Sequence, residues 1–312
     1  MYPQARFYIR TALIYLVLAF VVAALVLINQ STAQNGRLSA LQPVFYHLLM
    51  VGWATQLIGG VALWMLPPYS REKPRGDERL GWGAYAALNA GLILRVIAEP
   101  LNAWQPGRAL GIALVISAVF QVIAVWLLVI ALWPRVRRRI TPEPQSRSSQ
   151  RGGALMPHVS VVMVRMALLW WGVGFTLGGL TLANKGLSFH AGIWTLRTSH
   201  IFVLLVGWLV QFSAGVAVWI MPRLVHPGVV TGSGDRGDLR LAWLCCVALN
   251  AGVALMALHA PLVWLGGGDV PALRWMPALA GVLWLIAIAA FVANVWPRVR
   301  PVIEPLTMTV KE

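Results

Sequence analysis

The stretch HLLMVGWATQLIGGVALWMLP, residues 47–67, decides the fold of this chain because it is written twice. It aligns without a gap on FVLLVGWLVQFSAGVAVWIMP, residues 202–222, with ten identities in 21 positions. Neither copy contains Asp, Glu, Lys or Arg. Each is long enough to cross a bilayer core, which takes about 20 apolar residues. The shared positions include Gly52/Gly207, Trp53/Trp208, Gln56/Gln211, Gly60/Gly215, Trp64/Trp219 and Pro67/Pro222. Working outward, ALNAG recurs at 87–91 and 248–252, a proline follows at Pro100 and Pro261, and WPRVR recurs at 133–137 and 296–300. The repeating unit is therefore 155–163 residues long.

Composition carries the same reading across the chain. Hydrophobic residues make up 59% of the 312 and charged residues 11%, against roughly 45–50% and about 25% in soluble domains. A soluble globule of this size has no interior for so much apolar side chain. Eight spans are predicted, at about 11–30, 44–66, 80–98, 109–133, 159–183, 199–221, 241–260 and 275–296. In lipid each must satisfy its own backbone, so each is a helix and the fold is an all-α membrane protein. Four helices per unit is an even number, which permits two parallel four-helix repeats related by an axis along the membrane normal. The expected organisation is a first repeat at 1–140, a cytoplasmic linker at 141–157 and a second repeat at 158–312. The segment PRVRRRITPEPQSRSSQRGGALMPH at 134–158 has the Arg-, Ser- and Pro-rich composition of such a linker.

The formal net charge of +15 raises the question of nucleic acid. The basic residues lie instead in short segments between apolar spans, where the positive-inside rule accounts for them. With the N-terminus inside, eighteen Lys and Arg fall on the cytoplasmic side and five (Arg37, Arg108, Lys185, Arg197, Arg274) on the other. The expected topology is N-in/C-in, with membrane lipid as the main partner and no nucleic acid. The first apolar stretch runs too long for a cleaved signal and reads as a retained anchor. Adjacent Cys245 and Cys246 are the only cysteines, which excludes a disulfide framework, a four-cysteine iron–sulfur site and a C-x-x-C-H haem attachment. No G-x-S-x-G, H-E-x-x-H or P-loop pattern points to a hydrolase.

Much of the repeat has a structural reading. Gly52, Gly60, Gly207 and Gly215 permit close helix contact. Trp64, Trp133, Trp219 and Trp296 fall at helix ends, where interfacial aromatics belong. Gln56, Gln211, Asn89 and Asn250 are more often interhelical glue than ligand contacts. The histidines sort by topology. His158 and His226 lie at the cytoplasmic surface, and His190 in an outer loop. His47 begins the second span, His200 the sixth, and His259 ends the seventh, all toward the outer side. An ionisable residue inside a span marks a candidate site. His47 aligns with Phe202 and His200 with Phe45, so the two imidazoles sit two residues apart on equivalent helices.

These two helices resemble the haem-ligand helices of the haem–copper oxidase superfamily, subunit I, and of the related NnrS-type membrane proteins. In that family a histidine near the outer end is followed by a Gly-rich middle and an aromatic exit to proline, as in Trp64–Pro67 and Trp219–Pro222 here. Measured from that proline, His200 falls near the family's high-spin haem position and His47 near its low-spin one. The family is built from four-helix arcs, and this chain resembles two of them. The resemblance implies haem b, held through iron by His47 and His200, in a multi-pass protein of the bacterial cytoplasmic (inner) membrane. Arg95 and His259 are then candidates to reach the cofactor's acidic groups. Arg95 also has a local partner in Glu99, four residues on, and its unpaired cost of roughly 2.5–3.5 kcal/mol demands one or the other.

The chain departs from the family in lacking a His-His pair and a helix with two histidines, so no copper is predicted and a complete oxygen reductase is not expected. The function implied is respiratory electron transfer or small-gas handling, possible as an oxidoreductase component beside other respiratory-chain subunits. The alternative is a haem-free membrane subunit or assembly factor of a respiratory complex. A transporter ranks last, because the spans lack broken helices and midplane acidic residues.

Overall fold

The structure is a computed structural model that describes residues 1–32, 35–70, 72–137, 156–224, 236–266 and 270–299. Most of the predicted linker at 141–157 and His226 lie outside the described residues. So do seven of the arginines and lysines counted on the cytoplasmic side: Arg71, Arg138, Arg139, Arg147, Arg151, Arg300 and Lys311.

Among the described residues, eight helices are long and apolar enough to cross a membrane. They are α1 (Pro3–Thr32), α2 (Gly36–Met65), α3 (Glu78–Trp104), α4 (Arg108–Arg135), α5 (His158–Leu187), α6 (Ala191–Ile220), α7 (Leu239–Leu265) and α8 (Pro271–Arg298). Each overlaps its predicted span, and most overrun it because caps beyond the apolar stretch define the ends. The helices α3 and α7 start alike. Asp77 Oδ1 accepts the Arg79 N–H at 3.0 Å and Asp238 Oδ1 accepts the Arg240 N–H at 2.8 Å. The glycine before each cap, Gly76 or Gly237, has φ +75°, a conformation that only glycine adopts cheaply.

The opposite ends of α2 and α6 are closed by a device the sequence does not announce. Arg135, fully buried, donates to the carbonyls of Leu63 (2.9 Å), Leu66 (2.7 Å) and Pro67 (3.0 Å). Arg298, also buried, donates to those of Val218 (3.0 Å), Met221 (2.7 Å) and Pro222 (2.9 Å). Both arginines come from the WPRVR pieces and were expected as loop charges. Each instead neutralises the negative end of a helix and satisfies carbonyls that have no partner within it. Trp133 likewise is not a free interfacial ring: Arg165 lies over it at 5.2 Å. Trp64 and Trp296 are exposed as expected.

Helix α2 packs on α1, α6 on α5, α3 on α4 and α7 on α8. Glycines set the closeness. A Cβ on Gly52 would stand 2.8 Å from Tyr15, and one on Gly207 2.9 Å from Trp170; Gly60 and Gly215 meet Tyr8 and Met163 in the same way. Just before Gln56 and Gln211, both helices widen to π-type hydrogen bonding, over Leu48–Thr55 and Val203–Val210. Such widened turns recur at functional sites. Gln56 and Asn89 exchange two hydrogen bonds between α2 and α3 (3.3 and 3.2 Å), so the expected glue is present.

Helices α4 and α5 join the halves. Gly111 and Gly186 meet there backbone to backbone, leaving no room for a Cβ on either. One apolar core runs from Tyr8 and Leu48 through Leu128 and Leu168 to Trp171 and Trp208. The last two indoles stack in parallel, centroids 4.9 Å apart. Outward faces carry exposed Leu, Ile, Val and Phe, such as Leu13, Val17 and Phe20 of α1 and Val282 and Leu285 of α8. Apolar side chains in such rows fit contact with lipid.

Candidate functional site

Near the start of α2 and early in α6, His47 and His200 face a common region. They are within electrostatic reach of each other, and Arg95 of α3 is within reach of both. Each imidazole is partly buried, and each is held by its Nδ1. His47 Nδ1 lies 2.7 Å from the carbonyl of Pro43 on its own helix, and His200 Nδ1 lies 2.8 Å from that of Gly174 on α5. A carbonyl oxygen only accepts, so Nδ1 carries the hydrogen in both rings. A neutral ring in this tautomer keeps its lone pair on Nε2. The arrangement is the outer-shell bond that orients histidines which bind metal through the other nitrogen.

A glycine of α5 makes the space for the second ring. A Cβ on Gly178 would overlap the Cε1 of His200 and stand 2.7 Å from its Nδ1. Gly174 and Gly178, four residues apart, thus form one groove on α5 that accepts the His200 ring and anchors it. In the first half the corresponding α1 positions are Ala19 and Ala23, and α2 carries Phe45 where α6 carries His200.

Arg95 realises its local alternative. Its Nε donates to Glu99 Oε2 at 2.9 Å, and its Nη2 reaches Oε1 at 3.5 Å. Glu99 is 2% exposed and also takes the Lys185 ammonium of α5 at 2.8 Å. Two cations around one carboxylate leave a net single positive charge beside the histidines. Lys185 is a site residue that sequence reading missed. It lies 86 positions from Glu99, and nothing local marks the pairing. The Gly174–Gly178 groove was missed too, although four-residue glycine spacing on an apolar helix is a readable sign of close approach.

The structure brings together His47, His200 and Arg95. It does not tie His259 to them. That residue is partly buried on α7, and among the described residues none of the side-chain hydrogen bonds or ring contacts involves its imidazole. Nor do the described residues contain a group of three His, Cys, Asp or Glu side chains placed to hold a metal ion. His190 lies apart at the start of α6. Its Nδ1 accepts the Gly192 N–H at 3.0 Å while its ring rests on Trp264, so its tautomer is the reverse of that in His47 and His200. Compared with known proteins, the chain matches no family model and no curated protein.

Proposed function

We propose that the chain is an integral membrane b-type haem protein, working in respiratory electron transfer or small-gas handling, in which His47 and His200 would hold the haem iron. The observation that carries this reading is the shared tautomer. Two imidazoles from separate helices both spend Nδ1–H on a backbone carbonyl and keep Nε2 free for a metal. The residues fit the group in two further respects. Gly178 leaves the space that seats the His200 ring, and α2, α5 and α6 carry buried apolar Leu48, Val51, Phe175 and Val203. Arg95 and Lys185 supply cations for acidic substituents.

When bound, haem would supply one-electron chemistry or a place for a diatomic gas. The protein's part is to orient the imidazoles through Pro43 and Gly174, keep water out, and balance charge through Arg95, Glu99 and Lys185. The two halves are read as parallel repeats, oriented N-in/C-in in the bacterial cytoplasmic membrane, alongside other respiratory-chain subunits. The matched caps at Asp77/Asp238 and the matched arginines at Arg135/Arg298 support the repeat.

One observation favours the rival reading, a haem-free subunit or assembly factor: Glu99 already satisfies Arg95, so no cofactor is required to do so. Pyridine haemochrome analysis of the wild type, His47→Ala and His200→Ala separates the two. Bound haem in the wild type that is lost from the variants supports the proposal. A folded, colourless protein expressed with ample haem overturns it.

A further inference from the structure

Within the chain the halves join along α4 and α5. Arg165 of α5 donates its Nε to the Val136 carbonyl, just beyond α4, at 2.9 Å and lies over the Trp133 ring at 5.2 Å. Farther along the seam, small residues of α5 sit against larger ones of α4. A Cβ on Gly172 would stand 2.7 Å from the Trp126 ring, and one on Gly179 2.6 Å from Val122 Cγ2.

The chain carries the same two surfaces a second time, uncovered. Gly52 meets Tyr15 as Gly207 meets Trp170, which sets α1 in register with α5. In that register Arg10 stands for Arg165, Val17 for Gly172 and Ala24 for Gly179. The two WPRVR pieces set α8 in register with α4, so Trp296 stands for Trp133, Val299 for Val136, Ala289 for Trp126 and Leu285 for Val122. All seven stand-ins are exposed, Leu285 at 72% and Trp296 at 76%. Among the described residues α1 and α8 do not pack on each other. Nor does the Arg10 guanidinium make a hydrogen bond, ion pair or ring contact there. Arginines at the edge of a span pair with acids or backbone carbonyls, and Arg165 shows which partner this position takes. Sizes remain complementary. Gly172 on Trp126 becomes Val17 opposite Ala289, and Gly179 on Val122 becomes Ala24 opposite Leu285.

We propose that a second copy of this chain covers these faces, its α8 lying on α1 as α4 lies on α5 within one chain. Arg10 then takes the neighbour's Val299 carbonyl and Trp296 ring. The contact is heterologous, joining the tail of one copy to the head of the next. It rests on the reading of the halves as repeats and is independent of haem. Disulfide trapping in the intact membrane tests it. Ala24 and Leu285 correspond to a touching pair, within the Cβ separation of about 3.5–4.5 Å that a disulfide needs. Native Cys245 and Cys246 are buried and should stay silent. Ala24→Cys and Leu285→Cys chains with different tags are expressed together and oxidised. A dimer joining the two tags should form, and neither variant alone should link to itself. Adding Arg10→Glu to the Ala24→Cys chain should cut the yield roughly tenfold; Trp296→Ala on the Leu285→Cys chain serves if Arg10→Glu does not fold. No mixed dimer, as when lipid or another subunit covers the faces, overturns the proposal. So does self-linking of either variant alone, which marks an isologous contact, or a yield that neither second substitution lowers.

Discussion

The two halves use the same frame for different ends. Both seat a glycine of the second helix on a large side chain of the first, Gly52 on Tyr15 and Gly207 on Trp170. Both widen that helix before a glutamine and clamp its end with a buried arginine. They part at the histidine. His47 is anchored within its own helix, while His200 reaches across to α5, where Gly174 and Gly178 replace the alanines of α1. Matching elements maintain the fold, and the departures from symmetry gather where a ligand would sit.

The largest effect expected is on haem content. Its loss from both His47→Ala and His200→Ala makes the two anchors equal partners. Retention in one alone breaks the pairing and leaves a single axial ligand with an open position, which a carbon monoxide difference spectrum would register. The arginine clamps come next. Arg135→Ala and Arg298→Ala each remove charge-assisted bonds worth about 1.5–3 kcal/mol apiece, so each should lower unfolding stability by roughly 3 kcal/mol or more. Unequal losses in a denaturant titration would show that the two ends are not equivalent.

Gly178→Ala should act as a partial His200→Ala. The methyl displaces the ring from the Gly174 carbonyl, and haem retention should weaken about tenfold, or ~1.4 kcal/mol. A spectrum and affinity like wild type would mean that the α5 groove does not position the ligand. The smallest contrast lies at the glutamines. Gln56→Leu leaves Asn89 Oδ1 without its donor, while Nδ2 keeps the Tyr85 carbonyl at 2.8 Å, and should cost about 1–3 kcal/mol. Gln211→Leu leaves Asn250 bonded to Trp170 and should cost less than Gln56→Leu in the same thermal assay.

Sequence reading reached the elements whose cause is local. Spans follow from some twenty apolar residues, the close glycine contacts from the duplicated pattern, and Arg95–Glu99 from four-residue spacing. His47 and His200 stood out because an imidazole inside a span is rare. What escaped depends on distant residues. Lys185 finds Glu99 across 86 positions, Arg135 turns inward to carbonyls about 70 positions earlier, and the tautomers depend on Pro43 and Gly174. Charge counting assigns such an arginine to a loop, because a sequence does not show that helix-end carbonyls await it.

That clamp has a consequence for how the chain is made. Leu63, Leu66 and Pro67 leave the ribosome 68–72 residues ahead of Arg135. At about 5–20 residues per second, the Pro67 end of α2 stays open for several seconds of translation. The same wait recurs for α6, whose arginine follows Pro222 by 76 residues. Each group of four helices is thus completed by its last member, and a nascent chain halted after α3 should offer an unfinished end to membrane chaperones and proteases.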